Sequence, residues 1–287
     1  MILITSAGGK TGRAVIKTLA ARGEAVRAFV HRDEAASVVK ALGAREAVVG
    51  DMRDEKVLRQ AMEGVRAIYH ICPNVSPDEI AFGNRVIGAA RVAGVERFVF
   101  HSVLHPQIEA MPHHWNKLRV EERLFEAGLP FTILQPTAYM QNILAGWKTI
   151  VEEGVWRIPY PVETRLSLAD LDDVAEAAAI VLTQAGHAGA TYELVATSPM
   201  TQVEVSETLS QKLGRPVRAE AQSMDMWEQR ARAEGMGDYQ VETLIKMFHY
   251  YEQHGLAGNS NVLGWLLRRP PTSFAAFVER VVRERVG

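Results

Sequence analysis

Met1-Ile2-Leu3-Ile4-Thr5-Ser6-Ala7-Gly8-Gly9-Lys10-Thr11-Gly12-Arg13-Ala14-Val15-Ile16 has the pattern of a strand, a tight turn and a helix. It begins with an apolar run of strand length and reaches a glycine-rich turn, after which Val15, Ile16, Leu19 and Ala20 recur at helical spacing. A strand that turns tightly into a helix presents the helix N-terminus, with its unpaired N–H groups and the positive end of its dipole, to a diphosphate. Gly9 and Gly12 stand at the last two glycine positions of a G-x-x-G-x-x-G turn, and Ser6 stands where the first would be. Ser6 can still form a turn and donate a hydrogen bond, so the departure weakens the pattern without removing its mechanism. Two other readings compete. Gly9-Lys10-Thr11 suggests a triphosphate-binding loop, but that loop needs a glycine five residues before Gly9, and Ile4 is there. A plain strand-to-helix turn of some other α/β protein also fits these residues.

A second strand over 24–30 ends in His31-Arg32-Asp33. In dinucleotide folds this strand end meets the adenosine ribose, where an acidic residue accepts from the 2′-hydroxyl and a basic one accommodates a 2′-phosphate. Arg32, with Arg13 nearby, favours NADP(H) over NAD(H), although Asp33 can reach the ribose or cap the next helix and Arg32 can be a solvated loop cation. A third strand over 47–49 runs into Gly50-Asp51-Met52-Arg53-Asp54. There Asp51 can accept from an adenine amino group with Met52 covering the ring, or act as a helix N-cap. A fourth strand over 67–72 is broken by Pro73-Asn74, a helix covers 77–93, a fifth strand over 97–100 delivers Ser102, and a sixth over 131–135 stops at Pro136. Successive strand–helix units with short links predict an α/β, Rossmann-type doubly wound parallel sheet whose ligands sit at the strand C-termini.

Beyond Pro136 the rhythm changes. The pattern predicts a helix over 138–151, an irregular crossing at 158–161, a short strand and helix within 166–185 opened by Asp170 or Asp172, and a strand over 191–195 returning to the sheet. Helices follow over 202–213, 224–234, 241–253 and 271–285, with a short strand at Arg218. The expected organisation is a cofactor domain over 1–136, its sheet completed by parts of 164–195, and a smaller, mostly helical and discontinuous substrate lobe over 137–287. The 287 residues carry a formal net charge of −2 with both signs mixed throughout, which gives no broad electrostatic footprint for nucleic acid or membrane. No apolar run reaches membrane-spanning length. The single cysteine, Cys72, excludes an intramolecular disulfide, and a strand starting at residue 2 leaves no room for a signal peptide, so the expected location is cytoplasmic.

Ser102, His113 and Lys117 form the most informative constellation. Lys117 lies four residues after His113, on the same helical face if both are helical, and Ser102 sits at a strand tip where the nicotinamide end of a cofactor arrives. Lys117 can hydrogen-bond the nicotinamide ribose and lower the pKa of a neighbouring proton donor, which hydride transfer to a carbonyl or quinone needs as negative charge develops on oxygen. His113 can supply that proton, with His114 and Tyr139 as rivals. The plainer readings are a solvated Lys117 paired with Glu121 and a surface or capping role for the histidines. The remaining histidines show no metal-ligand spacing, and no G-x-S-x-G elbow surrounds a serine.

Further segments carry a family likeness. They are Ser6–Gly12, Val26-Arg27-Ala28-Phe29-Val30-His31-Arg32, Gly50-Asp51-Met52-Arg53-Asp54 and Gly94-Val95-Glu96-Arg97-Phe98-Val99-Phe100-His101-Ser102. To these add Leu129-Pro130-Phe131-Thr132-Ile133-Leu134-Gln135-Pro136 continued by Tyr139-Met140-Gln141-Asn142, then Leu213-Gly214-Arg215-Pro216-Val217 and Arg269-Pro270-Pro271-Thr272-Ser273-Phe274. Over nearly its whole length the chain resembles the NmrA-like members of the atypical short-chain dehydrogenases/reductases. The resemblance implies a Rossmann domain with NAD(P) across the strand tips and a small C-terminal lobe enclosing the substrate. Carried over by position, the Ser6, Gly9 and Gly12 turn with Lys10, Thr11 and Arg32 would meet the phosphates and adenosine. Asp51 and Met52 would meet the adenine, Pro73 and Lys117 the nicotinamide half, and Pro136 to Tyr139 the ring region. Two departures stand out: Ser6 replaces the first glycine, and His113 occupies the place of the tyrosine found four residues before the active-site lysine.

The family holds both reductases, some acting on quinones, and silent members that sense the NADP/NADPH state. The expectation is therefore an NADPH-dependent reductase acting on a quinone or similar flat aromatic carbonyl, for which Tyr139, Met140, Trp147, Trp156 and Met247 are suitable neighbours or else ordinary core. The alternative is a non-catalytic NADP(H) sensor that regulates a protein partner. An epimerase or dehydratase is disfavoured by the incomplete tyrosine–lysine pair. The helices near 77–93 and 114–127 can pair subunits in a homodimer.

Overall fold

A computed structural model describes residues 1–285 of the chain. Ile2, Leu3 and Ile4 offer no polar side chain to water, and the strand that they form, β1 (Ile2–Ile4), is wholly buried. It lies between β2 (Val26–Val30) and β4 (Ala67–His70) in parallel register, with Ile2 opposite both Val26 and Ala67. The sheet continues on one side to β3 (Glu46–Val49) and on the other through β5 (Arg97–His101) and β6 (Phe131–Pro136) to β10 (Ala190–Leu194), giving the order β10-β6-β5-β4-β1-β2-β3. Every pairing from β3 across to β6 is parallel. Strands covered on both faces carry continuous apolar runs, and the sequence shows them. The reversal of direction occurs between β1 and β4, the switch point at which such sheets bind ligands outside the strand C-termini.

The helices of this half alternate with the strands: α1 (Lys10–Ala21), α2 (Asp33–Ala41), α3 (Glu55–Met62), α4 (Glu79–Ala93) and α5 (Pro112–Glu126). Leu3, Phe29, Leu58, Ile68, Phe98, Phe100 and Leu124 belong to the core that they enclose. The chain divides into two units. The first comprises Met1–Glu109, His113–Gln135 and Val174–Tyr192; the second comprises Ala110–Pro112, Pro136–Asp173 and the chain from Glu193 onward.

The second unit departs from expectation. Residues 138–151 are not one helix: β7 (Ala138–Tyr139) is followed by a 3₁₀ helix over Met140–Gly146 and by α6 (Trp147–Glu153). Ala138 and Tyr139 pair in parallel with Leu168 and Ala169 of β9 (Leu168–Ala169), which commits their backbone to the extended form. The crossing at 158–161 is preceded by β8 (Val155–Ile158), which pairs in parallel with β11 (Arg218–Ala221), a partner too distant in sequence for local pattern to reveal. The helices are α7 (Leu171–Thr183), α8 (Gln202–Leu213), α9 (Met224–Ala233), α10 (Asp238–His254), α11 (Ser260–Leu267) and α12 (Phe274–Arg285). The sequence reading did not include α11, and it began α12 three residues early. Met140, Ile143, Trp147 and Ile150 pack with Leu209, Phe277 and Val278 in this unit's own core, and Trp156 packs against it. Among the described residues no helix is long and apolar enough to cross a membrane.

Candidate functional site

The turn from β1 to α1 shows what the glycine pattern requires. Ser6, at the place of the first glycine, takes φ 44°, a left-handed conformation that few side chains adopt, and its carbonyl accepts from Gly9 N–H at 3.1 Å. A methyl group added at Gly12 would lie 2.7 Å from the Cα and carbonyl oxygen of Ala7, so only glycine lets α1 pack this closely on the turn. No side chain among the described residues caps α1, and no acidic residue sits in its first turn. Lys10 is exposed there, Thr11 is buried, and Arg13 donates through Nε to the Gly8 carbonyl at 2.7 Å. Ser6 Oγ is enclosed and makes no hydrogen bond. An uncapped helix end and an enclosed, unpartnered hydroxyl, with a lysine in the same turn, are groups that can receive an anion.

The neighbouring strand tips on the same edge carry the other expected residues of the first unit. Arg32 follows β2, is exposed, and is the N-cap residue of α2, whose first turn holds Asp33 and Glu34. Asp51 follows β3 with its carboxylate already engaged: Oδ1 accepts from Arg53 N–H at 2.8 Å and Oδ2 from the guanidinium at 3.2 Å, and the backbone donor above all holds its pKa below the usual carboxylate range. The helix cap here is Asp54, which accepts from the N–H groups of Lys56 and Val57. Met52 is 6% exposed and belongs to the core. Pro73 is exposed beyond β4, and two residues later Val75 takes φ 48°, an outlier for a β-branched residue of the kind that clusters at ligand sites.

On α5, His113, Lys117 and Glu121 follow one another at intervals of four and face the ends of β5 and β6. Lys117 does not pair with Glu121, the alternative considered from sequence. Its Nζ donates to Glu79 Oε1 of α4 at 2.9 Å and to the His101 carbonyl at 3.3 Å, and it lies 5.5 Å from the Phe100 ring centre. Glu121 is occupied elsewhere: Ser102 Oγ donates to its Oε1, and Gln135 Nε2 donates to both carboxylate oxygens at 2.9 and 3.2 Å. Burial raises the Glu121 pKa, partly opposed by the Ser102 and Gln135 donors and by Lys117. His113 is held neutral near neutral pH, since burial first, then His114 and Lys117, push its pKa to about 3; its Nδ1 makes no hydrogen bond. His114 stands edge-on to it with ring centres 4.5 Å apart and its Nδ1 3.3 Å from the His105 carbonyl.

Beneath these groups, Tyr69 OH meets His101 Nδ1, and Thr5 Oγ1 lies 2.9 Å from His70 Nδ1 while exchanging bonds with the backbone of Ile71. Sequence spacing did not point to Glu79, Glu121 as the partner of Ser102, Gln135, Tyr69 or His70, because their partners come from other elements.

The structure thus brings Ser6, Gly9, Lys10, Thr11, Gly12, Arg32, Asp51, Pro73, Ser102, His113 and Lys117 to one edge of the first unit's sheet, with Met52 turned into the core. Pro136 ends β6 and is buried; Tyr139 of β7 is half-buried, and both belong to the second unit.

The model of the NmrA-like family matches residues 1–279. The chain belongs to that family. Among NmrA-like and related proteins it is 28% identical over 284 residues to an NAD(P)H azoreductase of Xenophilus azovorans, covering 97% of each chain. It is 28% identical over 285 residues to quinone oxidoreductase 2 of Escherichia coli, covering 98% of each. A crystal structure of an NADPH-dependent quinone oxidoreductase from Escherichia coli complexed with NADPH matches with a TM-score of 0.84 at 27% identity, over 98% of this chain and 99% of that one. This end-to-end likeness to NmrA-like reductases agrees with the Rossmann-type architecture read from the glycine turn.

Proposed function

We propose that the protein binds NADP(H) along the strand tips of its first unit and reduces a quinone or similar flat aromatic carbonyl. The observation that carries this reading is the uncapped start of α1, held tight by Gly12 and flanked by Lys10, in a chain that matches the azoreductase and the quinone oxidoreductase from end to end. The residues fit a dinucleotide. The N–H groups at the α1 terminus and the enclosed Ser6 hydroxyl suit the diphosphate, Arg32 suits a 2′-phosphate, and Lys117 and Pro73 suit the nicotinamide half. When bound, the cofactor supplies the hydride.

The chain's own contribution is positional and electrostatic. Glu79 and the His101 carbonyl fix Lys117 through two hydrogen bonds, leaving a donor of the ammonium for a ribose hydroxyl and a positive charge near the developing oxyanion. Glu121, itself fixed by Gln135, accepts from Ser102 and holds it in one rotamer. His113, neutral at its pKa of about 3, does not bring a charged acid to the reaction at neutral pH. A quinone tolerates this, because its reduced oxygen is a comparatively acidic phenol that needs no strong acid.

The test is a pair of equilibrium titrations with NADPH and NADH, followed by absorbance at the reduced-nicotinamide band with a panel of quinones. NADPH consumption by a quinone is the expected result. Arg32→Ala removes an exposed side chain and should weaken NADPH about tenfold, the loss of one charge-assisted contact, while leaving NADH unchanged. Equal losses for both cofactors would remove Arg32 from the 2′-phosphate. Tight cofactor binding without consumption across the panel would put the non-catalytic sensor first.

A further inference from the structure

Arg53 is held by three groups of the first unit, one in its own turn and two at the start of α4. Its Nη1 donates to Asp51 Oδ2 at 3.2 Å, in the turn after β3, and its Nη2 donates to Asp78 Oδ2. Its guanidinium carbon stands 5.4 Å from the ring centre of Phe82, in the first turn of α4. Phe82 is buried in the core, so the support beneath the guanidinium is fixed. Asp78 is the N-cap residue of α4, yet its side chain makes no cap hydrogen bond; the carboxylate is committed to Arg53 instead. The Arg53 side chain nevertheless stays 58% exposed, against 34% and 35% for its two carboxylate partners.

An exposed ion pair by itself adds little to stability, because solvent screens the charges and the long side chains lose rotamer freedom. Here that freedom is given up before any ligand arrives. What the arrangement leaves is a planar cation with one face over Phe82 and the other toward solvent. Guanidinium planes stack on aromatic rings and on nucleobases. Beside the plane lies an acceptor. Asp51 Oδ1 accepts from Arg53 N–H at 2.8 Å and Oδ2 from the guanidinium, which leaves each oxygen a further lone pair, and the lowered pKa keeps the carboxylate ionised. A flat base with an exocyclic amino group matches both features, plane against plane and donor to acceptor. Met52, expected from sequence to cover such a ring, is turned into the core.

We infer that Arg53 is the adenine platform of the cofactor site: the base stacks on its open guanidinium face while Asp51, held by the same residue, accepts from the 6-amino group. The inference rests on the NADP(H) binding proposed above and adds to it a residue that neither the glycine turn nor Arg32 supplies. It also separates two arginines. Arg32 meets the 2′-phosphate and Arg53 the base, so loss of Arg53 affects NADPH and NADH alike, whereas loss of Arg32 affects NADPH alone.

The test is calorimetric titration of the full chain with NADPH, NADH and adenosine 2′,5′-bisphosphate, which carries the base without the nicotinamide half. Arg53→Met keeps an unbranched stem and removes the plane with its donors; all three ligands should bind about tenfold more weakly, the loss of one base-stacking contact. Arg53→Lys keeps the charge and should lose most of the same affinity, because an ammonium offers no plane. Tm should stay unchanged in both variants, since the pairs that they break are exposed. Replacing the 6-amino group by an oxo group, in reduced nicotinamide hypoxanthine dinucleotide phosphate, should weaken binding to the wild type about tenfold, the loss of one charge-assisted hydrogen bond. In Arg53→Met the same replacement should cost less than about threefold, because Asp51 is no longer held on its second oxygen; a merely structural role would leave this ratio where it was. Variants that bind all three ligands within twofold of wild type, in a protein that binds NADPH, overturn the platform and leave the cofactor reading standing. A loss that spares NADH would move Arg53 to the 2′-phosphate, and a loss that spares the bisphosphate would move its effect to the nicotinamide half; either overturns the assignment. A wild-type protein that binds none of the three overturns the cofactor reading and the platform with it.

Discussion

At the scale of the residue, the turn after β1 contrasts two answers to one steric demand. Ser6 accepts a left-handed backbone at φ 44°, a conformation that costs on the order of 1 kcal/mol and is tolerated because the turn fixes it through its bond with Gly9. Gly12 has no such latitude. Its φ is ordinary, and the constraint is space: a Cβ would lie 2.7 Å from two Ala7 backbone atoms, which cannot rotate away as a side chain can. Gly12→Ala therefore has to push α1 off the turn, at a cost of about 1–3 kcal/mol typical of overpacking, and it displaces the helix N-terminus that the phosphates would use. Urea unfolding should show a lower midpoint with the same slope, and NADPH titration should show weaker binding. An unchanged Kd in a destabilised variant would separate the packing role from the binding role and count against the phosphate site.

At the scale of the element, α5 is held to α4 by the ion pair of Lys117 and Glu79, whose side chains are 14% and 3% exposed. Removing one member leaves the other charged, buried and unpaired, which typically costs about 3–5 kcal/mol, whereas replacing both by groups of similar volume is often close to neutral. Glu79→Gln and Lys117→Met should each lower the urea midpoint strongly, and the double variant should recover most of the loss while remaining unable to support turnover. Single variants losing less than about 1 kcal/mol would show that the pair is solvated in the native protein. This pair also marks where sequence stopped being informative. The Rossmann strands were legible because each is an apolar run bounded by a turn and followed by a 3.6-residue pattern, and the glycine turn, Arg32, Ser102 and Lys117 could be placed from them. Glu79 could not, because its partner lies 38 residues away on another helix and no local period links them. The same reason hid β8, a four-residue strand whose partner β11 begins some sixty residues later. The residues 138–151 misled for the opposite reason: their local pattern is helical, but pairing of β7 with β9 overrides it at the start.

At the scale of the whole molecule, the first unit keeps four histidines where they cannot easily be charged. Burial is the leading cause for all of them, with Lys117 adding to it, and it brings His70, His101 and His113 to about 3 and His114 to about 4, against 6.5 for the free side chain. A depressed histidine pKa means that the unfolded chain takes up protons that the native protein refuses. Its contribution to stability is therefore complete above pH 6.5 and is lost as pH falls toward the native value. Between pH 7 and pH 5 each such histidine removes about 2 kcal/mol. Glu121 acts in the opposite sense, because a raised carboxyl pKa adds stability as its proton is taken up, but it is one group against four. Four histidines together represent a large part of the ordinary 5–15 kcal/mol of a folded protein, so acid unfolding should set in well above the range where carboxylates titrate. Urea midpoints measured at pH 7.5, 6.0 and 5.0 should fall steeply, with His114→Gln reducing the slope by roughly one histidine's share. A midpoint flat across this range would mean that water or protons reach the histidines in the native state, and with that the neutral form assigned to His113 at the edge of the candidate site would no longer hold.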